Sequence, residues 1–161
     1  MNKLKNLVPY IIIFILVVII RTYLISPAKV KGESMEPVLY NNEIVFINKY
    51  TQYLKNYKRF DMVVVKIENE YLIKRIIGFE NEKIEYKDDI LYIDGKQVKV
   101  PLDFEYTKDF EASVEKDSVF VLGDNRNVSK DSRFYGSFRI NDLRGTVKVR
   151  LYPFNKIGLI K

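Results

Sequence analysis

The stretch Phe60-Asp61-Met62-Val63-Val64-Val65-Lys66-Ile67 and the one that soon follows, Tyr71-Leu72-Ile73-Lys74-Arg75-Ile76-Ile77-Gly78, decide the fold. Both are dense in Val, Ile and Tyr, which suit a pleated, half-buried surface better than a helix. In a strand, Leu72, Lys74 and Ile76 share one face, and Ile73, Arg75 and Ile77 share the other. Each face then carries one cation among apolar neighbours. A small β-domain must bury at least one face, so one of these cations is expected to be semi-buried.

Outward from there the same composition recurs at residues 43–47, 83–86, 90–93, 98–100, 119–122 and 146–151, bounded by Gly, Asn and Asp. Asp94-Gly95 between two such runs is a strong hairpin signal. Residues 49–58 read as a short helix or an irregular loop. No repeat and no low-complexity linker interrupts the chain. The expected class is mainly β, a small barrel or sandwich behind one N-terminal helix.

Residues 7–25 are apolar apart from Pro9 and the pair Arg21-Thr22. As a helix they extend about 28 Å, close to the hydrocarbon thickness of a bilayer. Pro9 is expected in the first turn, where a missing N–H costs nothing. Arg21 can snorkel to the headgroups, and Tyr10 and Tyr23 fall near the two interfaces. The rival is a cleaved secretory signal, since Ser26-Pro27-Ala28 offers small residues at suitable spacing. The length of the run and the internal Arg21 favour a retained anchor. Flanking Lys3, Lys5, Lys29 and Lys31 do not settle orientation.

The chain has 161 residues and a net charge of +6, with neither Cys nor His. Lys3, Lys5 and Arg21, without any acid, put half of that charge in the anchor, so the remainder is only mildly basic. Its charges alternate in sign, so no nucleic-acid stripe stands out, and a mild attraction to membrane lipid is the simpler partner. Without Cys there is no disulfide or thiolate chemistry. Without His, any Ser nucleophile must use a base outside the Ser-His-Asp triad. Neither a metal nor an organic cofactor is expected, because the carboxylates show no dense ligand spacing.

Three segments can carry chemistry. Val30 to Leu39 contains Gly32, Ser34 and Pro37, a loop able to present a hydroxyl just outside the membrane. By itself it reads better as a linker with a surface Ser. Lys74 in a buried strand would lose proton affinity, and bringing its pKa from about 10.4 to 7–8 costs roughly 4 kcal/mol. An edge Lys with its head in water is the plain alternative. The third segment, Gly123 to Arg133, sets Asp124, Arg126, Ser129, Asp131 and Arg133 in one polar stretch. That stretch is either a long turn or a charge-assisted scaffold.

In this order the segments resemble the motif set of the type I signal peptidase family. Ser34-Met35-Glu36-Pro37 is similar to its nucleophile box. Phe60-Asp61-Met62-Val63-Val64 resembles its Gly-Asp-x-Val-Val box, and Lys74-Arg75-Ile76-Ile77-Gly78 its Lys-Arg box. Gly123 to Arg133 resembles its Gly-Asp-Asn-Arg-x-x-Ser-x-Asp-Ser-Arg box. With the anchor, the resemblance covers nearly the whole chain.

The resemblance implies a Ser–Lys dyad that cleaves signal peptides from exported precursor proteins. Ser34 would be the nucleophile and Lys74 the base. Ser129 would hydrogen-bond the Lys74 amine, and Asp131 and Arg133, together with Asp124 and Arg126, would hold the site together. The Ser34 N–H would serve the oxyanion. Met35, Leu39 and Ile73 are expected to wall the substrate pocket. Residues 1–26 would form a cytoplasmic tail and single-pass anchor in the plasma membrane, and residues 27–161 an extracytoplasmic catalytic domain.

There are departures. Gly32 stands where some members have a Ser whose hydroxyl completes the oxyanion hole. Val38 replaces a usual Thr, and Phe60 replaces Gly. A gap of about 40 residues between Gly78 and Val119 is too short for a large second β-subdomain. The competing readings are an inactive, membrane-tethered peptide-binding relative, a self-cleaving repressor-type protease, and a tethered domain with no site.

Overall fold

A computed structural model describes residues 2–101 and 107–160, with side chains from residue 7 onward. The side chains of Lys3 and Lys5 lie outside that set. Helix α1 (Asn2–Ile19) opens into a π-helical turn, Ile20–Leu24. Together they hold one apolar window, Leu7–Leu24, with none of it buried against the protein. Pro9 is interior rather than in the first turn. The helix takes in the polar residues from Asn2, so the proline falls about two turns in, where its missing N–H removes one helical bond.

The chain then becomes extended. Strand β1 (Ile25–Lys29) pairs with β2 (Ile44–Asn48), and the short helix α2 (Tyr50–Leu54) follows. The two runs that opened the reading become β3 (Met62–Ile67) and β4 (Glu70–Phe79), paired antiparallel with Val63 opposite Lys74 and Met62 opposite Arg75. Strands β5 (Lys83–Lys87), β6 (Ile90–Ile93), β7 (Lys96–Gln97) and β8 (Phe110–Ser113) come next. After them are β9 (Ser118–Leu122), α3 (Ser132–Tyr135), β10 (Phe138–Arg139), β11 (Leu143–Tyr152) and β12 (Gly158–Leu159).

The main sheet has the order β1-β2-β11-β3-β4-β9-β10, with β12 added to β11. It does not close into a barrel among the described residues. The four strands β7-β6-β5-β8 form a second sheet of their own. The interval between Gly78 and Val119 is too short for a large subdomain but sufficient for this small one. Asp94 and Gly95 make its hairpin turn with φ of 51° and 75°, the left-handed pair that such a turn requires. Residues 98–100 are not a strand. Val98 instead donates to the Leu91 carbonyl at 2.8 Å, and Val98 and Val100 pack on the second sheet's core.

Strand alternation divides the interior. On β9, Val119 and Val121 enter one cluster with Val63, Val65 and Ile76, while Phe120 and Leu122 enter another with Ile77, Ile84 and Leu91. On β3, Met62 and Val64 join a third, with Met35, Leu39 and Val45. The centre of the main sheet is therefore covered on both faces. For this reason Lys74 and Arg75, neighbours that point to opposite faces, are both buried, at 2% and 3% exposure.

Candidate active site

Ser34 lies in the loop between β1 and β2. The loop is pinned at several points. Val30 N–H donates to the Glu43 carbonyl, and Asn42 N–H donates to the Val30 carbonyl. Arg150 on β11 donates to the Val38 carbonyl and pairs through Nε with Glu43 at 2.8 Å. Gly32 has φ +84°, a conformation open to glycine, and its N–H donates to Asn41 Oδ1. No acceptor is recorded for the Ser34 N–H among the described residues.

Lys74 Nζ is 2.7 Å from Ser34 Oγ, in hydrogen-bond contact. Burial lowers the Lys74 pKa from 10.5 to about 8; Asp131 and Asp124 act against that shift, and Arg133 adds to it. A fraction of the amine is thus neutral near neutral pH, with a lone pair able to accept the Ser34 proton.

The segment after β9 closes the site from above. Gly123 N–H donates to Asp131 Oδ2 at 3.0 Å, and Asn125 N–H donates to the Ser34 carbonyl at 3.1 Å. The fit is close: a Cβ on Gly123 would lie 2.2 Å from Ser129 Oγ and 2.5 Å from the Ser34 carbonyl oxygen. Asp131 is fully buried and caps α3 through the Arg133 N–H. Burial would raise its pKa. Hydrogen bonds from the Arg133 side chain and Gly123 N–H, with the Arg133 charge, outweigh this and hold it below its usual value. Arg133 also reaches the Arg126 carbonyl.

The remaining expected residues are placed less simply. The Ser129 hydroxyl is buried beside Gly123 and makes no hydrogen bond to the Lys74 amine. It lies close enough to the Asp131 carboxylate to help lower its pKa, after Arg133 and Gly123. Asp124 pairs with Arg75: Arg75 Nε and Nη2 donate to its two oxygens at 2.8 and 2.7 Å. Arg126 turns away from the dyad, toward the Thr107 hydroxyl and the Tyr86 ring of the second sheet. Arg75, and the Arg150–Glu43 pair, are the supporting residues that sequence reasoning did not select. The position of Arg75 in its strand was a usable signal, whereas nothing near Glu43 or Arg150 suggested a partner.

A groove of about 950 Å3 leads to Ser34. Residues 26–32 form one wall and residues 69–73 the other, with Met35 and Ile73 on its surface. Leu39 is fully buried in the core beneath and is not a lining residue. Strand β1 pairs on one side only, and β4 meets β9 only from Arg75 onward. Among the described residues, both walls therefore present one backbone edge without a strand neighbour.

Residues 4–152 match the model of the family described as signal peptidase, peptidase S26. The chain is 41% identical to signal peptidase I of Bacillus amyloliquefaciens, over 94% of this chain and 89% of the relative. It is 37% identical to signal peptidase I S of Bacillus subtilis strain 168, over 91% of this chain and 88% of that one. The crystal structure of a signal peptidase I from Enterococcus faecalis V583 superposes with a TM-score of 0.51 at 31% identity, covering 56% of this chain and 96% of that chain.

Proposed function

The chain belongs to the signal peptidase S26 family, and from that premise we propose that it is a membrane-anchored serine endopeptidase that removes signal peptides from exported precursors through Ser34 and Lys74. The observation that carries the Ser–Lys reading is the 2.7 Å contact between a nucleophile and a buried amine of lowered pKa. Neutral Lys74 accepts the Ser34 proton as Oγ attacks the scissile carbonyl carbon. The Ser34 N–H, which has no acceptor among the described residues, donates to the developing oxyanion. Collapse breaks the C–N bond, and the Lys74 ammonium returns the proton to the leaving amine. Water then hydrolyses the acyl ester, with Lys74 again as base.

The precursor enters as an extended strand between the free edges of β1 and β4, hydrogen-bonding through its backbone. Met35 and Ile73 limit the side chains beside the scissile bond, so small residues are preferred at the first and third positions before it. The anchor crosses the plasma membrane once, with the sheet domain on the extracytoplasmic side. An inactive peptide-binding relative would have no use for a base poised on the nucleophile.

The test is incubation of the detergent-solubilised full chain with a labelled precursor, beside the Ser34→Ala variant. Cleavage by the parent and none by the variant is expected. Equal cleavage by both, or equal cleavage of precursors with bulky residues at the two positions, would overturn the reading.

A further inference from the structure

The groove that leads to Ser34 changes character along its length. Its walls are β1 and β4, and in the sheet order β2, β11 and β3 lie between them, so Ile47, Arg144 and Val64 form its floor. Beside Ser34 the lining is apolar, with Met35, Ile73 and Val64, which stands opposite Ile73. Toward the apolar helix the lining takes in Thr22 and, from α2, Gln52 and Tyr53. Arg144 is the cation on the floor, and it belongs to that far end. Its neighbour Leu143 is level with Val65 and, through it, with Leu72, two residues along β4 from Lys74 and so about 7 Å away. The Arg144 charge bears on the Tyr57 hydroxyl, just beyond α2, whereas the charges bearing on Lys74 are those of Asp131, Asp124 and Arg133.

Arg144 is half-buried, and among the described residues it has no carboxylate partner. Its Nη1 donates to the Asn141 carbonyl at 2.7 Å and to the Leu143 carbonyl at 3.4 Å, which leaves Nε and Nη2 without a bond. A guanidinium half withdrawn from water with donors to spare is a fork for a carboxylate. Lys49, also in the lining, is already held by the Thr22 carbonyl at 3.1 Å, and the carboxylate of the lining, Glu70, is exposed on β4 and makes no ion pair with Arg144.

We propose that Arg144 is a specificity-determining residue that favours precursors with an acidic side chain at the fifth position before the scissile bond. The inference rests on the proposed peptidase reading for its substrate, and it names a feature that the substrate should carry. The apolar part of a signal peptide precedes its cleavage site, so the precursor runs from the helix end of the groove toward Ser34. In an extended chain, alternate side chains face the floor: the first at Ser34, the third about 7 Å back and the fifth about 13 Å back. Met35 and Ile73 meet the first two. The fifth is the next to face the floor, on the side of Lys74 where Arg144 and α2 lie.

Binding tests this apart from cleavage. The full chain in detergent, as the Ser34→Ala variant, is titrated with fluorescent signal peptides identical except for Glu or Lys at the fifth position. The Glu peptide should bind about fivefold more tightly than the Lys peptide. The difference should shrink at about 1 M salt, where charges are screened beyond about 3 Å. Arg144→Lys on the same background should keep the order and Arg144→Glu should reverse it, a reversal that a misfolded chain does not produce. Equal affinities for the two peptides, or a Glu preference that survives Arg144→Glu, would overturn the proposal. In the parent chain the same order should appear in kcat/KM. Should the parent cut neither peptide while binding still favours Glu through Arg144, the peptidase reading fails and the assignment of Arg144 stands.

Discussion

Arg75 and Asp124 form a two-pronged ion pair, at 2.8 and 2.7 Å, with both side chains almost completely buried. Arg75 donates further to the Phe60 carbonyl at 2.8 Å. The pair fastens the strand that bears Lys74 to the segment that covers Ser34. Removing one partner leaves a buried charge uncompensated. Arg75→Ala should therefore cost about 3–5 kcal/mol of stability in denaturant titration. The double variant Arg75→Met/Asp124→Leu should recover most of that loss, because it removes both charges and keeps the volume.

Gly123→Ala should impair catalysis far more than its size suggests. The added methyl meets Ser129 Oγ at 2.2 Å and the Ser34 carbonyl oxygen at 2.5 Å, so the nucleophile loop must move. A displacement of about 1 Å at a reacting group is worth about 100-fold in rate, and kcat/KM should fall by that order. Gly32→Ala is the contrast. Its methyl meets nothing within 4 Å, so the cost is backbone strain alone, about 1–2 kcal/mol of stability.

The strands that carry the site were legible because their periodicity and β-branched content are local properties. The helix was legible from its unbroken apolar run. Lys74 and Ser34 could be paired from sequence only through the motif resemblance, since their meeting depends on sheet order. The burial of Arg75 followed from both faces being covered, a tertiary fact that alternation alone does not convey. Asp124 was legible as a member of the polar stretch, but its pairing across the sheet with Arg75 depends on tertiary contact. The short strands β7, β8, β10 and β12 lack a pattern long enough to register. Leu39 looked like a pocket residue because it is near Ser34 in the chain, but the turn through residues 33–39 carries it inward to the core.

Asp131→Asn should move the acid limb of the pH–rate profile downward. Asp131 is the largest charge opposing the fall of the Lys74 pKa, so its removal lets that pKa drop further. The same variant loses stability at neutral pH. The Asp131 pKa is depressed in the fold, so its contribution is present above the unfolded carboxyl value and fades as pH falls through the folded one. A limb that stays in place or moves to higher pH would contradict the assignment.

Lys74→Met should stabilise the protein while abolishing turnover. The Lys74 pKa falls from 10.5 to about 8 on folding, so the unfolded chain holds the proton more tightly. Below about pH 8 the buried ammonium costs the fold roughly 3 kcal/mol, and between about 8 and 10.5 that cost is relieved as pH rises. The advantage of Met over Lys in thermal or denaturant unfolding should be largest at pH 6–7 and shrink across that window. A constant difference would mean that the amine is not desolvated.

The central claim is that neutral Lys74 is the base for Ser34, and the pH dependence of kcat/KM for the parent chain and Lys74→Arg tests it most directly. The parent should rise from acidic pH through a single group near 8, where burial places the amine. Lys74→Arg keeps the charge but does not deprotonate, and it should show no turnover at any pH. A flat parent profile between about pH 5 and 9, where a perturbed lysine should titrate, or substantial turnover by Lys74→Arg, would contradict the account.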